Sequence, residues 1–139
     1  MSRGSERYDV GHEDKKALTA ADVLRSYAED TGRFRVPLKD VNQPDVFGDY
    51  PIHIAAIREA LDEMIALIAG GADVNALGED GYTALHWAAG EGNVEAVKLL
   101  LEHGARTDIR DDLFGRTPVE HAKLHGHEAV VSLLAETDS

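Results

Sequence analysis

The sequence predicts an all-α solenoid: three full helix–turn–helix repeats joined by finger loops, with a capping helix at the N-terminal end. Two observations carry this. A nine-residue block, Gly48-Asp49-Tyr50-Pro51-Ile52-His53-Ile54-Ala55-Ala56, recurs as Gly81–Ala89 and again as Gly115–Lys123, at offsets of 33 and 34 residues. Recurrence at that period marks stacked repeat units rather than one globular core. Helix start and stop residues also stand at matching places in each unit, with Thr83 and Thr117 opening helices and Gly92 and Gly126 closing them.

Residues 1–16 are polar and charged and read as a flexible arm. Thr19-Ala20-Ala21-Asp22 then supplies a cap residue and a first-turn acid. Leu18, Val23, Leu24 and Tyr27 can share one face, so a helix is predicted over about 20–30, with Gly32 as its stop. A connector runs on through Pro37. Asp40-Val41-Asn42 anticipates Asp73-Val74-Asn75 by 33 residues, which makes 17–44 a degenerate half-repeat. This helix either covers the apolar end of the first full repeat or moves independently.

The full repeats are assigned to 45–77, 78–110 and 111–139. Pro118, at the first helical position after Thr117, gives up no needed N–H. Ala55-Ala56 and Ala88-Ala89 let neighbouring helices approach closely. The second helices carry Val94, Val97, Leu100 and Leu101, then Val130, Val131, Leu133 and Leu134, at helical spacing. Gly71 and Gly104 stop the second helices of the first two repeats. Some positions depart from the pattern. Tyr50 stands where Thr is expected, so the first inner helix loses that cap. Glu59 replaces a Gly, Ala84 a Pro, and Glu120 the motif His. An extra residue near Asp111-Asp112 lengthens the third finger.

The quoted blocks resemble the ankyrin-repeat family, whose pattern is Gly, then Thr-Pro-Leu-His-x-Ala, then a second helix ending in Leu-Leu and Gly-Ala-Asp. The resemblance covers about residues 45–136 and is clearest from Gly78 to Arg110. It implies that His53 and His86 brace successive fingers through backbone and Thr hydroxyl bonds. It also implies recognition of another protein through finger tips and the concave face of the inner helices. Carried over by motif position, the tips hold Phe47, Glu79, Asp80, Leu113 and Phe114, with Asp49, Tyr82 and Arg116 just after each Gly. The groove-facing inner positions are Arg58, Trp87, Glu91, His121 and His125. Small acidic chains of this kind resemble bacterial ankyrin proteins encoded beside secreted toxins, which act as immunity proteins; that implies a basic toxin domain as partner.

Composition narrows the classes. The chain has 139 residues, 43% hydrophobic, with 14 Lys+Arg against 26 Asp+Glu, a net charge of −12. Residues 46–139 hold 17 of the acids and only 6 of the bases. Clustered cations for nucleic acid are missing. The acidic surface keeps a solenoid soluble or steers a basic partner. With no cysteine there is no disulfide, thiolate catalysis or Cys-based metal site. No apolar run approaches the ~20 residues that span a bilayer, and Met1–Arg7 has no signal core. The chain thus reads as cytoplasmic and as a monomer when free. No nucleophile–base pair or phosphate loop is visible, and no enzyme activity, cofactor or metal is expected. His121 and His125, at i and i+4, have a spacing that can ligate a metal but lack a third ligand on that face. The readings left open are a binding module with an immunity or inhibitor role, a constitutive regulatory subunit of a larger enzyme or secretion complex, and a metal enzyme at His121 and His125.

Overall fold

Local capping fixes where each helix begins. In the computed structural model, which describes residues 17–30 and 38–138, Thr19 and Asp22 cap each other's backbone N–H groups at 3.2 and 3.1 Å. Helix α1 (Ala20–Asp30) follows, as the sequence predicts. The expected arm at 1–16, the Gly32 stop and the connector through Pro37 lie outside the described residues. The remaining helices are α2 (Pro51–Ile57), α3 (Leu61–Ala69), α4 (Ala84–Glu91), α5 (Val94–Glu102), α6 (Pro118–Leu124) and α7 (Glu128–Asp138).

Thr83 and Thr117 accept bonds from the backbone N–H of His86 and Glu120, which offsets orphan donors of the first turn. At the head of α2, Tyr50 has no such oxygen and makes no side-chain cap; His53 Nδ1 instead accepts the Tyr50 N–H at 2.9 Å. Gly92 ends α4 at φ +74, and Gly126 has the same φ beyond α6. Glu59 takes the matching turn after α2 at φ +58, a region that L side chains enter at a penalty. Glu59→Gly is expected to raise stability by about 0.5–1 kcal/mol, measured by urea unfolding. A loss instead would mean that the exposed Glu59 side chain holds a contact worth more than the strain.

The helices form two layers. α2, α4 and α6 pack side by side as the inner layer, and α1, α3, α5 and α7 as the outer one. Met64, Leu67, Leu85, Val97, Leu100, Val130 and Leu134 are fully buried between them. Each unit buries its apolar faces against the next, so stacking creates the core. α1 packs on α3, burying Val23, Leu24 and Tyr27, while Leu18 stays exposed. Tyr27 donates to Glu63, and the Arg58 guanidinium lies 5.2 Å from the Tyr27 ring centre. Gly70 gives α1 its seat: a Cβ there would lie 2.5 Å from that of Ala20. Of the two readings left open for this helix, the structure shows the docked one.

Neighbouring units are clasped by one residue type. Asn42 accepts from the Asp73 N–H and donates to Gly71 O, at 2.9 and 3.1 Å. One period later Asn75 does the same with Arg106 and Gly104, at 2.8 and 3.1 Å.

Candidate functional site

The fingers between the helix pairs are built on buried acids. In the first, Asp45 Oδ1 accepts the N–H of Phe47 and of Asp49 at 2.8 and 2.9 Å. In the third, Asp111 accepts the N–H of Phe114 and of Arg116 at 2.6 and 3.1 Å. Asp49, expected at the binding surface, is 2% exposed. Its carboxylate accepts the Glu79 N–H from the second finger at 2.9 Å, so it ties two fingers together instead of facing a partner. Asp112 N–H donates to Asp80 O at 2.8 Å and joins the second finger to the third.

The tips carry exposed apolar groups. Phe47 is 56% exposed, Phe114 58% and Leu113 55%. The Arg116 guanidinium sits 4.7 Å from the Phe114 ring centre. Glu79 and Asp80 are exposed at the middle tip, and Asp80 adopts φ +58.

α4, α6 and their flanking residues line a partly open cavity of ≈ 480 Å³. Four of the five groove positions inferred from the sequence meet there, Trp87, Glu91, His121 and His125, joined by Tyr82, which was expected beside the middle finger tip. His86, Gly90 and His127 complete its wall. Phe47, Asp49, Arg58, Glu79, Asp80, Leu113, Phe114 and Arg116 do not line it. Tyr82 sits at the centre of a ring cluster, 5.0 Å from Trp87, 5.4 Å from His86 and 5.2 Å from His121. Burial and the Asp111 charge push the Tyr82 phenol above its usual range. Among the described residues, Trp87 Nε1 is the buried side-chain polar atom without a hydrogen-bond partner.

His86 shows why the cluster is ordered. Its Nδ1 accepts the Thr83 N–H at 3.0 Å, and its Nε2–H donates to Arg116 O at 2.9 Å. His53 repeats the arrangement, with Tyr50 N–H on Nδ1 and Ala76 O on Nε2. Both imidazoles are fully engaged as the neutral form. Burial holds the pKa of each below the ordinary histidine value. In the third unit the task is divided. Glu120 takes the Thr117 N–H at 2.9 Å, and the next residue, His121, is buried and bonds Asp111 at 2.8 Å. Asp111 is desolvated, yet its bonds from Phe114, His121 and Arg116 outweigh that and hold its carboxyl at about 2.

His86, Asp111 and His121 bring ligand-type atoms within 4.8 Å of one another. The sequence pair His121 and His125 is not the convergent one. A cation bound by His86 would have to displace either Arg116 O or the Thr83 N–H, leaving a buried group unpaired. The three side chains are therefore arranged as a brace for the long third finger.

A family model for ankyrin repeats in three copies matches residues 20–111 and 52–139. The chain belongs to the ankyrin-repeat family. Ankyrin repeats generally mediate protein–protein interaction, and the family is typically non-catalytic. An ankyrin repeat protein of Rickettsia bellii is 34% identical over 97 residues, which are 68% of this chain and 53% of that protein. Human neurogenic locus notch homolog protein 2 is 47% identical over 81 residues, 58% of this chain and 3% of that protein. A transient receptor potential cation channel subfamily A member 1 homolog of Caenorhabditis elegans is 34% identical over 114 residues, 82% of this chain and 9% of that protein. The chain thus spans about half of the first relative and less than a tenth of the other two. Among the described residues, no helix is long and apolar enough to cross a membrane.

Three residues of the cavity wall were not among the expected site residues, His86, Gly90 and His127, and neither was Asp111 behind His121. His127 Nε2 donates to Gly90 O at 3.0 Å, which pins the α6–α7 turn against α4. The extra residue at Asp111-Asp112 was the visible sign that the third finger is built differently.

Proposed function

We propose that this ankyrin-repeat chain is a non-catalytic module that binds a partner protein through its finger tips and the groove between α4 and α6. The observation that carries the reading is the pairing of exposed aromatic tips, Phe47 and Phe114, with a groove walled by Tyr82 and Trp87. Aromatic anchors inside a charged rim are the usual composition of interaction hot spots. The contact set is Phe47, Glu79, Asp80, Tyr82, Trp87, Glu91, Leu113, Phe114, Arg116, His121 and His125. Asp49 supports it from beneath. Arg58, expected among these contacts, is instead taken up by Tyr27 and Glu63 at the end of α2.

The excess of acids in residues 46–139 fits a basic partner, because complementary charge speeds encounter and disfavours wrong partners. A basic toxin domain, held by this chain as an immunity or inhibitor protein in the cytoplasm, is the narrower form of the proposal. In this reading the free chain is a monomer and binds neither nucleic acid nor membrane. The alternative is a constitutive regulatory subunit of a larger enzyme or secretion complex. The exposed Val46, Leu77 and Leu113 favour it, since permanent interfaces are the more apolar ones.

The test is affinity co-purification from the native cells, with a Trp87→Ala, Phe114→Ala variant as control. Trp87 makes no side-chain hydrogen bond among the described residues and Phe114 is exposed, so the variant should keep its helical circular-dichroism spectrum. It should lose the partner by about 100-fold or more in affinity, the size expected when two anchors are removed. Undiminished capture would show that the wrong face was chosen. A basic toxin domain supports the inhibitor reading; a large assembly supports the subunit reading. Cells lacking the gene should become sensitive to that toxin, and full resistance would remove the immunity role.

A further inference from the structure

We propose that the cavity between α4 and α6 is a receptor for a guanidinium group, taking the side chain of an arginine on the partner; the proposal rests on the binding reading above and names the chemistry of its central contact.

Two aromatic rings stand in the wall, Tyr82 and Trp87, tilted by 40° to one another and both only half-buried. Their faces attract cations, and Arg is the usual partner because its planar head stacks on a ring while its N–H groups bond at the edge. The wall supplies acceptors for those N–H groups. Glu91 is exposed there and provides a carboxylate. His127 has its Nε2–H on Gly90 O, so in the neutral ring Nδ1 carries a lone pair. Asp111 adds negative charge behind His121, where its bonds keep it ionised. None of the lining residues is Lys or Arg.

The molecule already contains the same recognition. One period before Glu91 stands Arg58, whose guanidinium lies over the Tyr27 ring and 3.7 Å from the Glu63 carboxylate. At Glu91 the sign at that repeat position is reversed. At Arg58 a ring from α1 and an acid from α3 hold the cation from within, whereas the α4–α6 cavity presents rings and an acid with the cation left to the partner.

Trp87 is the chain's one tryptophan, so its emission reports on this cavity alone. The full chain would be titrated with tetra-arginine, tetra-lysine and tetra-glutamate peptides. The expected result is a saturable emission change with tetra-arginine, about tenfold weaker binding of tetra-lysine, and no response to tetra-glutamate. Glu91→Gln should weaken tetra-arginine by about tenfold, whereas Glu102→Gln, an exposed acid on α5, should not. Absence of saturation with tetra-arginine, equal binding of tetra-lysine, or equal losses in the two variants would each overturn the proposal. The two readings separate cleanly. If tetra-arginine fails but Trp87→Ala, Phe114→Ala still loses the captured partner, the arginine receptor falls and the binding module stands. If the captured partner survives that variant, the binding face falls whatever the peptides do.

Discussion

His86→Ala is expected to lower folding stability by about 3 kcal/mol or more, the sum of a lost buried side chain and unpaired polar groups. The reason is position. One neutral imidazole caps the start of α4 through the Thr83 N–H and reaches Arg116 O at the base of the third finger. Truncation opens a cavity beside Tyr82 and His121, whose rings lie 5.4 Å from that of His86. It also strands a buried N–H and loosens a carbonyl. Thermal unfolding should shift down by roughly 10 °C. A loss below about 1 kcal/mol would mean that the third finger is held by Asp111 alone. The same variant should disturb the groove, because Tyr82 leans on the ring that is removed.

Acidification is the second large effect. His53 and His86 are buried and held neutral, so their folded-state pKa values lie below the ordinary 6.5. Below pH 6.5 the unfolded chain takes up these two protons before the folded chain does. Stability is therefore fully present above that pH and falls as pH drops towards the folded-state values. Two protons taken up on unfolding correspond to a slope of about 2.7 kcal/mol per pH unit while both are in play. Asp111 acts in the same direction at lower pH: its carboxyl titrates near 2 in the folded chain against an ordinary 3.8. Its contribution is lost across that interval. Urea midpoints measured between pH 7.5 and 4 should fall steadily from about 6.5. A flat profile would show that neither imidazole resists protonation, and the slope should be halved in a variant lacking one of them.

These imidazoles also show what could be read before the structure. Their bracing role follows from motif position, and the Thr83, Thr117, Gly92 and Gly126 signals are local, since each acts within one helical turn. The helix starts and the repeat period were legible for that reason. The groove was less so. Asp49 is buried because a backbone N–H 30 residues away needs its carboxylate. His127 belongs to the cavity because Gly90 O, 37 residues back, accepts its proton. Such pairings depend on how one unit seats on the next. The extra residue at Asp111-Asp112 announced a different third finger but not that His121 would turn inward to meet it.

The Asn42 and Asn75 clasps carry a mechanical consequence. Each ties a unit only to its immediate neighbour, as does His86. A pull on the two ends is thus passed from unit to unit through these clasps and the apolar faces stacked between neighbours. The chain should yield in steps, each releasing one period of 33 residues, or about 110 Å of contour. The first unit, with no side-chain cap at Tyr50 and with Glu59 held at positive φ, is the weakest link and should open first. Under load the protein would pay out slack in measured lengths while the α4–α6 groove remained intact.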